Sequence, residues 1–183
     1  MIKASVTAAD GSYTLSNLER LIVIADYDPE WPRTFALLRD RAWPLVSPFA
    51  ESIEHVGSTS VPGLAAKPIV DIDVIARSPD FVRAAIRALE TIGYRHEGDK
   101  GITGREAMKA RASDPRHHLY VGVREAPPLL EHLSFRDYLR ATPDKAAEYA
   151  ALKRRLAIAY DDDREGYNLA KTDFVRACLA AAK

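Results

Sequence analysis

Apolar and polar positions alternate most cleanly over residues 69–75, where Val70, Ile72 and Val74 fall on one face of a strand and Asp71 and Asp73 on the other. Residues 52–56 read as the strand that enters the Gly57-Ser58 turn ahead of it. Upstream, residues 21–25 form a short apolar run that reads as a buried strand. Residues 1–20 show no sustained period and read as an irregular arm. Asp28-Pro29 and Trp31-Pro32 mark a helix start, with Trp31, Phe35, Leu38 and Ala42 on one face and Pro44 expected to end or bend it. Ser78-Pro79-Asp80 opens a second helix along Val82, Ala85, Ile86 and Leu89, closed by Gly93. Residues 94–97, 105–111 and 117–123 read as three further strands, separated by a glycine-rich loop and by Ser113-Asp114-Pro115.

Beyond Pro127 the period becomes helical. Leu129, Leu133, Tyr138 and Leu139 suit one or two short helices, and Pro143-Asp144 starts another along Tyr149, Leu152, Leu156 and Tyr160. Residues 161–166 read as a loop before a last helix carrying Tyr167, Ala170, Phe174, Ala177 and Cys178. Strands first and helices later predict an α+β protein, a mixed β-sheet flanked by helices with a helical C-terminal portion. The expected organisation is an arm over 1–20 and a single domain over 21–183, its sheet-bearing core at 21–125 and its helical portion at 126–183.

Composition narrows the function classes. The 183 residues balance 26 Lys and Arg against 26 Asp and Glu, which lacks the basic excess of a protein that tracks a nucleic-acid backbone and favours a small partner. No run of eighteen apolar residues and no signal-like leader is present, so a cytoplasmic protein without a membrane span is expected. The single Cys178 excludes a disulfide framework within the chain and reads as a small hydrophobe in the last helix.

The chemistry concentrates between Glu54 and Ile75. Asp71 and Asp73 stand about 6.6 Å apart along one strand face, and neighbouring anions repel unless a proton or a cation intervenes. A divalent metal, Mg2+ or alternatively Mn2+, answers that repulsion. The turn Gly57, Ser58, Thr59 and Ser60, with Lys67 beyond it, can present backbone N–H groups, hydroxyls and an ammonium to phosphate oxygens. Together, a phosphate anchor and metal carboxylates match a nucleoside triphosphate with its magnesium; separately, they would be a tight turn and two solvated carboxylates. A P-loop does not fit, because five residues separate Gly57 from Gly63 and Lys67 lies four past the second glycine. The Gly-x-Ser-x-Gly elbow is absent as well, which leaves a Ser58 or Ser60 hydrolase with His55 or His117 as an outside alternative.

Further candidates for substrate or phosphate contact are His55, His118, Tyr120, Arg136 with Arg140, Tyr149 with Lys153, and Tyr167 with Lys171. Each tyrosine-lysine pair sits four apart on one helical face. The pairs could stack on a base or neutralise phosphate, or they could be core-edge tyrosines beside snorkelling lysine stems. Of His117 and His118, at most one can face the aspartates, while His96 and His132 receive no assignment. The acidic run at 161–163 reads as a solvated turn.

These residues resemble the GrpB family and, through it, the DNA polymerase beta-like nucleotidyltransferase superfamily. The matching pieces are Ile24 to Trp31, the block from Ile53 to Val74, His118-Leu119, the stretch from Phe135 to Arg140, and the two tyrosine-lysine pairs. The resemblance implies that Gly57 and Ser58 grip the β- and γ-phosphates while Asp71 and Asp73, as catalytic residues, hold magnesium. A nucleotidyl group would pass to a small-molecule acceptor. Some relatives are fused to dephospho-CoA kinase, which hints at a coenzyme A context. Such chemistry usually takes a third acid from a neighbouring strand, but the strand over 117–123 offers only His118 and Tyr120, the latter where the family pattern tends to have histidine. Glu54, Glu106 and Glu131 are the substitutes within the chain. The alternative reading is a non-catalytic nucleotide-sensing or partner-binding module that retains the fold.

Overall fold

A computed structural model describes residues 21–182, so the arm expected over 1–20 lies outside the described residues. Helix α1 (Glu30–Val46) leads into β1 (Ala50–Val56), a single 3-10 turn (Ser58–Ser60) and β2 (Val70–Ala76). Then come α2 (Pro79–Glu90), β3 (Arg95–His96), β4 (Glu106–Lys109) and β5 (His117–Val123). Four helices close the chain: α3 (Pro127–Ala141), α4 (Pro143–Ala159), α5 (Arg164–Ala170) and α6 (Thr172–Ala181).

The five strands form one mixed sheet in the order β1-β2-β5-β4-β3, with β2 and β5 parallel and the other neighbours antiparallel. This is the α+β arrangement the hydrophobic pattern predicts. Parallel pairing of β2 with β5 requires a long crossover, and α2 with the β3-β4 excursion provides it. Val70, Ile72 and Val74 of β2, with Leu119 and Val121 of β5, turn toward α1 and α2 and build the main core with Trp31, Leu38, Ala85 and Leu89. The opposite face carries Asp71 and Asp73. There α3 packs on β1 and β2 through Val56, Ile75, Leu129 and Leu133. A third cluster joins the segment after the 3-10 turn, Val61, Leu64 and Ala65, to the C-terminal helices through Leu139, Tyr149 and Cys178.

Several elements depart from the sequence-based reading. Residues 21–25 make one bridge, Ala25 with Ala66, in place of a strand. The next pair of that ladder would need an N–H from Pro68, which proline lacks. Pro44 lies inside α1, which continues to Val46; so close to the helix end it removes a single backbone bond and the helix survives. One 15-residue helix, α3, replaces the one or two short ones. The middle and edge strands are shorter than expected, at four and two residues. The loop over 161–166 ends early because the Asp163 carboxylate accepts from the Gly166 N–H at 2.9 Å and so starts α5. The expected last helix is consequently two, broken at Lys171. No helix among the described residues is long and apolar enough to cross a membrane.

Candidate functional site

The turn between β1 and β2 is built around a backbone position that only glycine occupies without strain. Gly57 has φ 68° and ψ −173°, and a Cβ there would sit 2.3 Å from Asp71 Oδ2. The turn is locked from within. Ser60 donates its hydroxyl to the Gly57 carbonyl at 2.6 Å, and Arg140 donates twice to the Ser60 carbonyl, at 2.8 and 3.1 Å. Thr59 is buried and its Oγ1 lies 3.0 Å from His55 Nε2. Thr59, Ser60 and Arg140 thus hold the turn's shape, while Ser58 faces the adjoining cavity.

His55 belongs to the other side of the sheet. Its register partner is Ile72, its ring stacks on Phe35 of α1 at 4.8 Å, and burial pushes its pKa down to about 4, so it is neutral. Arg136 is similarly engaged: it donates to Glu54 at 2.8 Å, to the His55 carbonyl at 3.1 Å and to Asp137 at 2.7 Å. These contacts tie α3 to β1.

Across the strands the register assembles two rows on the aspartate face. Asp71 stands between Val56 and His118, and Asp73 between Glu54 and Tyr120. His118 donates from Nδ1 to Asp71 Oδ1 at 2.8 Å, and His132 of α3 donates from Nδ1 to Asp73 Oδ2 at 2.9 Å. The two carboxylates differ sharply in exposure, 32% for the Asp71 side chain against 0% for Asp73. Burial raises the Asp73 pKa. Burial alone would lower that of His132, but the Asp73 bond and charge outweigh it and raise it, so the pair holds a proton tightly. Asp73 Oδ1 is buried without a hydrogen-bond partner.

His132 is the residue that sequence reading passes over. A row of i, i+4, i+8 joins His132, Arg136 and Arg140 on one face of α3, so extending the Arg136-Arg140 row one turn back would have found it. Replacing His132 with Phe is expected to leave Asp73 without any donor and to cost about 1–3 kcal/mol, a loss that Gln should partly restore. Urea unfolding of the three proteins checks this.

Glu54, one candidate third acid, is adjacent to Asp73 in register but bound by Arg136; burial would raise its carboxyl, yet the bond and charge of Arg136 hold it below the usual range. Glu106 is paired with His96 at 2.7 Å. Tyr120 occupies the place in register with Asp73 on β5, and the Arg105 guanidinium lies 4.2 Å over its ring. Among the described residues no group of three or more His, Cys, Asp or Glu could hold a metal ion.

Beside the turn lies a cavity of about 630 Å³. Its wall includes Ser58, Asp71 and His118 together with Lys67, Lys153 and Lys171. Of the two tyrosine-lysine pairs, Lys153, Tyr167 and Lys171 line this cavity while Tyr149 does not, and both rings are buried: Tyr149 stacks on Phe174 at 5.0 Å, and Tyr167 is 1% exposed. Lys153, itself buried, donates to Ser58 Oγ at 2.9 Å and to the Ala65 carbonyl, with its ammonium 4.5 Å from the Tyr149 ring centroid. Lys67 and Lys171 both lie against the Tyr167 ring, at 4.1 and 4.4 Å. Burial, and then the neighbouring Lys171 charge, lower the Lys153 pKa to about 7; burial, and then Lys67, lower Lys171 to about 8. Burial pushes the Tyr167 phenol up to about 12.

Comparison with known proteins places this arrangement in context. The family profile described as GrpB protein matches residues 21–181. A crystal structure of conserved protein GrpB from Enterococcus faecalis is 33% identical and superposes with a TM-score of 0.77, over 87% of this chain and 96% of that one. The UPF0157 protein YqkA of Bacillus subtilis is 34% identical over 165 residues, covering 90% of this chain and 48% of that protein, so the chain spans about half its length. The glutamate-rich protein GrpB of Alkalihalophilus pseudofirmus is 32% identical over 160 residues, 84% of this chain and 91% of that protein.

Proposed function

The chain belongs to the GrpB family, and from its cavity we propose that it binds a magnesium nucleoside triphosphate at the β1-β2 turn and transfers a nucleotidyl group to a small acceptor. The observation that carries this reading is the charge of one cavity: three lysines and the Ser58 hydroxyl converge there on a single carboxylate, Asp71. Buried like charges are destabilising by themselves, and their concentration in a cleft marks a site arranged for an anion.

The carboxylates fit a cation shared with such a ligand. Magnesium is commonly held by one or two carboxylates with the remaining positions left to water and phosphate oxygens. Asp71 lines the cavity, and Asp73, two residues further along the same strand face, keeps Oδ1 buried and unpartnered, the kind of oxygen a cation would satisfy. Asp71 and Asp73 would hold the magnesium, which would supply charge neutralisation at the phosphates; in the transfer the acceptor oxygen would bond to the α-phosphorus as its bond to the bridging oxygen breaks, pyrophosphate leaving and the acceptor's proton passing to water. The protein's own share is positional. His118 and His132 orient the two carboxylates, Lys153 holds Ser58, and Lys67 with Lys171 neutralises the outer phosphates.

The test is whether magnesium strengthens triphosphate binding through the aspartates. Titration of ATP with and without Mg2+ should show a gain of tenfold or more in the wild type. In the Asp71→Asn, Asp73→Asn double variant that gain should vanish, even though loss of the Asp71 charge improves metal-free binding. An equal magnesium effect in both proteins would sink the metal role.

A second reading, a nucleotide-sensing module without transfer, draws on the histidine already bound to each carboxylate and on the absence of a third acid among the described residues. Incubation with α-labelled triphosphates and a metabolite pool separates the two. Label transfer that Asp73→Asn abolishes excludes the purely sensing protein.

A further inference from the structure

Resting on that nucleotide-binding reading, we propose that Ser58 is itself a phosphoryl acceptor, a nucleophile that takes the terminal phosphoryl group of the bound triphosphate with Lys153 as its base. The turn carries three consecutive hydroxyls, and two of them are spent on its shape: Ser60 donates to the Gly57 carbonyl, and the buried Thr59 lies against His55 Nε2. Ser58 is left, partly exposed on the cavity wall. Its Oγ lies 2.9 Å from Lys153 Nζ, and the Tyr149 phenol, kept neutral first of all by burial, also comes within hydrogen-bonding reach of it. Tyr149 and Lys153, four apart on α4, thus meet one serine.

Lys153 is placed as a base and not as a counter-charge. It is buried and forms no ion pair among the described residues; its Nζ meets Ser58 Oγ, the Ala65 carbonyl and the Tyr149 ring. A lysine desolvated without an anion favours the neutral amine. In that form one N–H stays on the Ala65 carbonyl while the nitrogen lone pair accepts the Ser58 proton, the arrangement that activates a serine in Ser-Lys catalysis. Burial first, and then the Lys171 and Arg154 charges, lower the Lys153 pKa against a smaller opposing effect of Asp71, in keeping with that role. In the step, Ser58 Oγ bonds to the terminal phosphorus as the bond from that phosphorus to the bridging oxygen breaks. The nucleoside diphosphate leaves with the electron pair, and the hydroxyl proton passes to Lys153 Nζ. Lys67 and Lys171, on the same wall, offset the charge of the departing diphosphate. Phosphoserine at this position would occupy the lysine cluster and repel a second triphosphate.

The experiment incubates the full chain with Mg2+ and ATP labelled at either the γ- or the α-phosphate and locates protein-bound label by mass spectrometry, with calorimetric titration of ATP alongside. Label should come from the γ-phosphate alone, sit on Ser58 and vanish in Ser58→Ala. Lys153→Arg keeps a cation and a donor but cannot give up its proton, so at saturating ATP it should slow labelling by about a hundredfold or more; circular dichroism confirms that the variant is folded. In the wild type the labelling rate should rise from about pH 6 to about pH 9, with a midpoint above the value of about 7 for Lys153 in the free protein, because bound phosphates favour the ammonium. A serine merely held by an ammonium would show no such rise. ATP that binds without labelling Ser58, label drawn from the α-phosphate, or a rate flat or falling with pH would overturn the inference and leave nucleotide binding intact. If ATP does not bind, the nucleotide reading itself fails, and this inference with it.

Discussion

Replacing Lys153 with Met is expected to remove most of the rise of stability with pH while weakening triphosphate binding by tenfold or more. The ammonium is 2% exposed, and its pKa falls from 10.5 to about 7, first through burial and then through Lys171 and Arg154. Between pH 7 and 10.5 the unfolded chain therefore binds a proton that the folded chain does not, so stability rises with pH across that window. The gain between pH 7 and pH 9.5 is about 3 kcal/mol from this residue alone, and Lys171 adds to it in the same direction. Above pH 10 the raised phenols of Tyr149 and Tyr167 pull the other way, since the unfolded tyrosines ionise first.

Met keeps the length of the side chain and removes the charge. Near pH 7 the variant should be as stable as the wild type or more so, the relief from burying an ammonium offsetting the lost bonds to Ser58 and the Ala65 carbonyl. At pH 9.5, with Lys153 neutral and still donating in the wild type, the order should reverse. Thermal unfolding of both proteins from pH 6.5 to 9.5 checks the crossing, and saturating tripolyphosphate should flatten the wild-type curve by restoring the proton. A wild-type melting temperature that falls steadily over this range would refute the buried, depressed lysine.

How much of this could be read from residue order depends on whether a feature is local. β2 and β5 match the expected strands because alternation and turn residues bound them on both sides. Asp71 and Asp73 do share a face, as period two requires, but nothing in the period distinguishes 32% exposure from none. That difference arises from α3, which crosses the end of β2 some sixty residues later and brings His132 onto Asp73. His55 shows the same gap from the other side. It adjoins the Gly57 turn in sequence, yet one strand step sends it to the α1 face. Arg136 and Arg140 spend their donors on β1 and the turn, because a partly covered guanidinium takes the nearest carboxylate or carbonyl. The tyrosine-lysine spacing correctly puts each pair on one helical face, while burial decides that the rings go inward and the ammonium groups to the cavity. The break at Lys171, which separates α5 from α6, has no signal in proline or glycine at that point.

Gly57→Ala should cost roughly 3 kcal/mol or more, from two sources that a double-mutant cycle can divide. One is conformational. At φ 68° and ψ −173° the backbone lies in a region nearly exclusive to glycine, and an alanine there is strained whatever surrounds it. The other is steric and specific to the site: the new Cβ would meet Asp71 Oδ2 at 2.3 Å, its Cγ at 2.9 Å and its Cβ at 3.0 Å. Removing the carboxylate by Asp71→Ala deletes the two shorter contacts and leaves the third. Gly57→Ala should therefore be less costly in the Asp71→Ala background by about 1 kcal/mol or more, the remainder being backbone strain. Urea unfolding of the four proteins measures the coupling. Zero coupling would mean that Gly57 is required by the turn alone. A positive value would show that the glycine is there so the main chain can lie directly against Asp71, the contact on which the carboxylate's position beside Ser58 depends.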